Sequence, residues 1–327
     1  MPDFAMNRRT ANLALGALLS LCCMAAAAQG FPARPVRMVG PWPPGTPADV
    51  AGRIIAERLA VGLGQPIVVD NKPGASGSIG LSDAMRQPAD GYTLYLVSSA
   101  SVMAPLLYPA QKIDFQKSLD IVGHLSWNYN VLTVAEGSPF KSPQELVQKA
   151  KAQPDSLSFG SGGNGTPAHL AGELFKQQTG TQMTHVPYNQ FTMAVGDLLA
   201  GRVDFMFLTA SAAIPQITGG KLRALATTGS QRLPLLKNVP TMAEQGYGSF
   251  VLRSFDMMAV KAGTPKPVIE RLNAELNRAL ATPGVKEKFD TLALEIDPMT
   301  PAQSTKVFVV ESEKWLQIGR NAHVKAD

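Results

Sequence analysis

Between residues 159 and 189 the chain reads FGSGGNGTPAHLAGELFKQQTGTQMTHVPYN, and this stretch carries the residue types best suited to holding an anion. Gly162, Gly163 and Gly165 free the backbone to curl, and Thr166-Pro167 supplies an N-cap followed by proline at the first helical position. Amides left unpaired at such a helix start, with the positive end of the helix dipole behind them, attract carboxylate or phosphate. The same letters satisfy a dinucleotide fingerprint, because Gly160, Gly162 and Gly165 are spaced as G-x-G-x-x-G. That chemistry needs an acidic residue about 20 positions on to hold the ribose hydroxyls. Residues 181–190 contain neither Asp nor Glu, and no Gly-Lys-Ser/Thr follows to make a nucleoside triphosphate loop. A tight connection with no ligand at all is the third reading of the same glycines.

Other chemistries find less support. His124, His169, His185 and His323 have no metal-ligand spacing, so no metal site is expected. There is no G-x-S-x-G elbow, and Ser98 and Ser99 lack a recognisable partner base. The expectation is a protein without catalytic residues and without a cofactor.

The elements that would position the anion loop form a series of α/β units. Residues 36–40 read as a strand, 41–47 as a proline-rich turn, and 48–62 as a helix with apolar Val50, Ile54, Ile55 and Leu59. A strand at 67–69, a glycine-rich loop at 71–78 and a helix at 79–85 repeat the arrangement, and a strand at 92–97 ends in Ser98 and Ser99. In a parallel sheet such loops collect at one edge, where these folds bind ligands. Regularity is expected to lapse from 109 to 131, with a domain crossing near 121–130. A second series follows, with strands at 183–186, 203–208 and 222–227, helices at 193–200 and 212–218, and a crossing back near 249–260. Helices from Thr264-Pro265 to 280 and from Thr300-Pro301 to 319 end the chain. The expected fold class is α/β with two hinged lobes and a ligand cleft between them.

At 327 residues, 45% hydrophobic and 17% charged, the chain is long enough for two cores and is not of disordered composition. Arg8-Arg9, an apolar run from 13 to 24 and Ala25 to Ala28 have the three parts of a secretory signal, so residues 1–28 are expected to be removed and the mature protein to be exported. Cys22 and Cys23 both fall in that leader; Leu19-Ser20-Leu21-Cys22 offers a lipid-attachment alternative with a bulky residue before the cysteine. The leader carries Asp3, Arg8 and Arg9, so the mature chain keeps a net charge of about +4. Without basic clusters, that balance suits a small anion and excludes a nucleic-acid partner.

Seven segments in order carry a family resemblance: RPVRMVGPWPPGTPAD at 34–49, QPIVVDNKPGASGSIG at 65–80, ADGYTL at 89–94, GNGTPAHLAG at 163–172, HVPY at 185–188, LLAGRVD at 198–204 and GKLRALA at 220–226. Together they resemble the Bug-type periplasmic substrate-binding proteins of tripartite tricarboxylate transporters, over essentially the whole mature chain. The resemblance implies a type II-like two-lobe binding protein, here 29–127 plus 253–327 and 128–252, that closes on a small carboxylate. It also implies a monomer that delivers its ligand to membrane permease subunits; the alternatives are a sensor signalling to a receptor and, behind it, a nucleotide-using enzyme. Carried over by position, the ligand-binding residues are Trp42, Thr46 and Ala48, then Gly74, Ala75 and Ser76, then Ser98 and Ser99, and from the other lobe Asn164, Gly165, Thr166, His169, Tyr188 and Thr209. Trp42 and Thr46 depart from the family's usual phenylalanine and glycine. Leu208 stands where an acidic residue is common, which disfavours an amino-acid ligand and favours a hydrophobic or aromatic carboxylate. Asp49 and Asp204 are expected to brace their elements and not to touch ligand.

Overall fold

Short runs rich in Val, Leu, Phe and Met, each bounded by Gly, Pro or Asn, become the strands of one mixed sheet. The computed structural model describes residues 30–326, so the expected leader and its two cysteines lie outside the described residues. The strands are β1 (Val36–Gly40), β2 (Ile67–Asn71), β3 (Thr93–Ser98), β4 (Leu119–Ala135), β5 (Ser158–Ser161), β6 (Thr184–Pro187), β7 (Phe205–Thr209), β8 (Leu222–Thr227) and β9 (Arg253–Lys261). Their order is β2-β1-β3-β9-β4-β7-β5-β6, with β8 also paired to β4. Within each half the α/β units run parallel: β1 beside β2 and β3, and β5 beside β6 and β7. The strands that join the halves, β4 and β9, are antiparallel to their neighbours.

The helices are α1 (Pro47–Leu63), α2 (Ser78–Met85), α3 (Ala104–Leu107), α4 (Phe115–Ser118), α5 (Pro143–Ala152), α6 (Pro167–Thr179), α7 (Phe191–Leu199), α8 (Ala210–Thr218), α9 (Lys266–Leu280), α10 (Pro283–Thr291) and α11 (Pro301–Asn321). Proline at the first turn starts several of them, where its missing amide costs nothing. The short helix α10 has no counterpart in the sequence reading.

The largest correction to the sequence reading is β4. A lapse of structure was expected before Val131, whereas a single 17-residue strand runs through that stretch. Polar residues break its alternation: His124, Ser126 and Asn130 are buried, and register shifts occur between Ile121 and Gly123 and between His124 and Ser126. Gly123 is required there, since a Cβ would lie 2.7 Å from Leu276 Cδ2. From Leu119 to Tyr129 the strand pairs with β9; from Asn130 onward it pairs with β7 and β8. One strand thus belongs to the ladders of both halves.

Two apolar clusters fill the molecule. Val36, Met38, Leu94 and Leu96 pack under Ile55 and Leu59 of α1 and Leu272 and Leu276 of α9. A second cluster runs across both halves and includes Phe159, Phe175, Phe205, Phe207 and Phe250, with edge-to-face ring contacts such as Phe175 to Phe207 at 5.9 Å. Each such buried side chain contributes about 1.5–3 kcal/mol. α11 starts with a capping box between Thr300 and Gln303, lies along β4 and also touches α6. Its Lys314 Nζ donates to the Val251 carbonyl at 2.5 Å, beside the return crossing.

Candidate functional site

The two halves open their site helices with the same four residues. Gly45-Thr46-Pro47-Ala48 precedes Asp49 in α1, and Gly165-Thr166-Pro167-Ala168 precedes His169 in α6. The geometry repeats with the letters. Thr46 and Thr166 are N-caps at φ −69, ψ 154 and φ −70, ψ 156. Each hydroxyl donates to the carbonyl three residues back, Pro43 at 3.0 Å or Gly163 at 2.7 Å, and accepts from the third helical amide at 3.4 Å. The preceding glycine takes a left-handed backbone, φ 81 or 74, and donates its amide to the side chain four residues on: Gly45 to Asp49 Oδ2 at 2.9 Å, Gly165 to His169 Nδ1 at 3.1 Å. With proline first and the third amide capped, the second amide of each helix, Ala48 or Ala168, is the one the helical ladder leaves unserved. A third Thr-Pro-Ala at 300–302 is closed differently, because Gln303 reaches back to the Thr300 amide and hydroxyl at 2.9 Å. The two anion-binding turns are thus a literal tetrapeptide repeat 120 residues apart.

Both turns are built from inside. The Asp49 carboxylate accepts from Gly45, Arg53 Nε at 3.0 Å and Asn71 Nδ2 at 2.8 Å. Burial opposes its charge, but these bonds outweigh it and hold Asp49 below the usual carboxylate range. Asn71 also donates to the Trp42 carbonyl at 3.0 Å, which ties the first loop to β2. Trp42 itself is half-buried against the core of the first half. Asp204 braces β5 by accepting from the Ser158 amide at 2.7 Å and hydroxyl at 3.0 Å. Both aspartates therefore brace their elements.

The remaining loops of the first half meet at Gly77. A Cβ there would lie 2.8 Å from Tyr95 Oη, 2.9 Å from Ser101 Oγ and 3.1 Å from Pro41, so loops one, two and three converge on it. Its carbonyl accepts from Tyr95 Oη at 3.0 Å. Gly74 sits at φ 120, and Ala75 and Ser76 at φ 45 and 50, a left-handed conformation that costs a non-glycine residue about 1–2 kcal/mol. Strain of this kind concentrates where backbone is shaped for a task. Ser98 is buried with its Oγ 3.3 Å from Ser101 Oγ, and the Ser99 amide donates to Phe255. Loop three reaches the other half through Leu107, 2.6 Å from where a Gly165 Cβ would lie.

In the second half, His169 and His185 stack with centroids 3.8 Å apart and planes 7° from parallel. Ser161 Oγ pairs with His185 Nε2 at 2.7 Å, and also accepts from the Gly163 amide at 3.1 Å. Burial drives both imidazoles neutral: His169 is lowered to about 4, with Lys176 adding to the effect, and His185 to about 3, with His169 and Lys176 adding. Because Nδ1 of His169 accepts from Gly165, its proton sits on Nε2, 3.8 Å from Glu173 Oε1. His169 thus shapes the turn, and the Gly165 amide is engaged within it. Tyr188 donates its hydroxyl to Asp197 at 2.6 Å, and burial, reinforced by that bond, raises it to about 12. Asn164 is half-buried in the glycine turn. Thr209 precedes α8 without capping it, opposite Asn130 in the ladder. Phe191, which the sequence reading passed over as a site residue, lies 3.5 Å from where a Gly162 Cβ would be. Among the described residues no group of three His, Cys, Asp or Glu side chains could hold a metal, and no helix is long and apolar enough to cross a membrane.

Comparison with known proteins agrees with this architecture. The model of the tripartite tricarboxylate transporter family receptor matches residues 51–322. Protein BugT of Bordetella pertussis is 34% identical over 325 residues, covering 98% of this chain and 99% of its own. Two solved structures align over nearly their whole length. The periplasmic binding protein BugD has a TM-score of 0.78 at 31% identity, covering 91% of this chain and 100% of that one. Rpa4515 of R. palustris, solved with adipate, has a TM-score of 0.80 at 30% identity, covering 90% and 99%. The chain belongs to the tripartite tricarboxylate transporter receptor family.

Proposed function

We propose that this chain is a periplasmic solute-binding protein that captures a small mono- or dicarboxylate and delivers it to the permease of a tripartite tricarboxylate-type transporter. In this reading residues 1–28 direct export. Lobes 29–127 plus 253–327 and 128–252 close over the ligand, with the fourteen loop residues from Trp42 to Thr209 around it and no chemistry performed on it.

The observation that carries the reading is the paired helix start. Two turns of identical sequence and geometry, one in each half, each leave an Ala amide at a positive helix end. A carboxylate has two oxygens to offer, one for each. Neutral donors also suit a carrier: a lysine or arginine clamp would bind a desolvated carboxylate more tightly and slow its release. Arg53, close to the first turn, is committed to Asp49 and Asn71. The adipate held by Rpa4515 supports a carboxylate ligand, and Trp42 and Phe191 supply apolar surface for the rest of the molecule.

The test is a thermal-shift panel of aliphatic, aromatic and amino acids. Ligand at about 100 times its Kd stabilises the native state by about 2.7 kcal/mol, an easily read rise in Tm. Absence of a shift with every carboxylate, or tight binding of NAD or ATP instead, overturns the proposal.

A further inference from the structure

β9 carries a carboxyl group with little to satisfy it. Asp256 is 5% exposed, and the hydrogen bond described for it comes from Asn128 Nδ2 at a long 3.4 Å. Burial lifts its pKa to about 7, the Asn128 bond opposing. It stands opposite Ser98 of β3 and Ser126 of β4, so the three share one face of the sheet. Ser126 is fully buried with a hydroxyl lacking any partner, and Asn128 Oδ1 is likewise unpartnered. The cluster therefore has a surplus of acceptors and no cation.

Its place in the fold is beside the end of β3, where loop three begins. Leu96, two residues before Ser98 on the same face, lies beneath Gly52 of α1, whose Cβ would be 2.9 Å from Leu96 Cδ1. Ser98 leads into loop three, which meets loops one and two at Gly77, so Asp256 borders the loops proposed to hold the carboxylate.

We infer that Asp256, with Asn128 and Ser126, forms a subsite for an ammonium group beside the carboxylate seat, which makes amino-bearing carboxylates the ligand class. An ammonium brings three donors to three donor-starved oxygens and a charge that cancels the buried carboxylate. The acidic partner that the sequence lacks at Leu208 is thereby supplied from a different strand. This inference rests on the carboxylate-binding function proposed above.

Calorimetric titration of the full mature chain at pH 8 with matched pairs tests it: L-alanine against propanoate, L-aspartate against succinate, L-phenylalanine against 3-phenylpropanoate. In at least one pair the amino member binds about tenfold more tightly or better. Asp256→Asn abolishes that advantage while the affinity for the deamino partner stays within about threefold. Equal or tighter binding of the deamino acids to the wild type overturns the ammonium subsite and leaves the carboxylate seat standing. Failure of every acid to bind removes both. Should Asp256→Asn not fold, the wild-type pairs alone decide.

Discussion

Replacing His185 by glutamine should change how the protein responds to acid more than how stable it is at neutral pH. An unfolded histidine titrates near 6.5, and His185 in the native state near 3. As pH falls below about 6.5 the unfolded chain takes up a proton that the native chain refuses. The stability tied to neutral His185 is therefore complete above 6.5 and lost as pH falls toward 3. At pH 5 the loss spans about 1.5 pH units at about 1.4 kcal/mol each, or about 2 kcal/mol. At pH 7.5 the variant forfeits the Ser161 bond and the stack on His169, together about 1–2 kcal/mol. Urea unfolding at pH 7.5, 6 and 5 should show the variant weaker at first and drawing level with wild type at pH 5. Wild-type and variant stabilities that run parallel across this range would refute the claim that the stack requires a neutral His185.

Three further outcomes follow from residues already described. Thr46→Ala and Thr166→Ala each lose an N-cap worth about 1 kcal/mol, and because they cap separate helices the double variant loses the sum within about 0.5 kcal/mol, measured by urea midpoint. Gly172→Ala destabilises by about 1–3 kcal/mol, since its Cβ would stand 2.2 Å from the Phe159 ring; a cooperative melt at an unchanged Tm contradicts it. Asp256→Asn raises stability at alkaline pH by up to about 4 kcal/mol. A carboxyl with a raised pKa is favourable below about 4 and loses that contribution as pH rises to about 7, so variant and wild-type melting curves converge by pH 4.

The α/β units were legible wherever apolar periodicity and turn residues coincided, as from Val36 to Leu63 and from Leu222 to Thr227. β4 was not, because its buried face carries His124, Ser126 and Asn130 and its bulges shift the two-residue period. The anion-binding turns could be read because their constraint is local: glycine, cap, proline. What orders them could not, because Asn71 reaches Asp49 across 22 residues and Ser161 reaches His185 across 24. Asp256 was invisible for a similar reason. An aspartate inside an apolar run such as SFDMMAV reads as an interruption until the register sets it beside Ser98 and Ser126.

The strand shared by both halves has a mechanical consequence. Tyr129 is the last residue of β4 paired with β9, its partner there is Arg253 at the return crossing, and Asn130 already belongs to the other ladder. Both covalent connections therefore pass through the same few ångströms of the molecule, side by side. In the lobe closure proposed above, rotation of one half against the other would centre on the peptide planes around Tyr129 and Arg253, and a probe pair placed at the two far ends would report it.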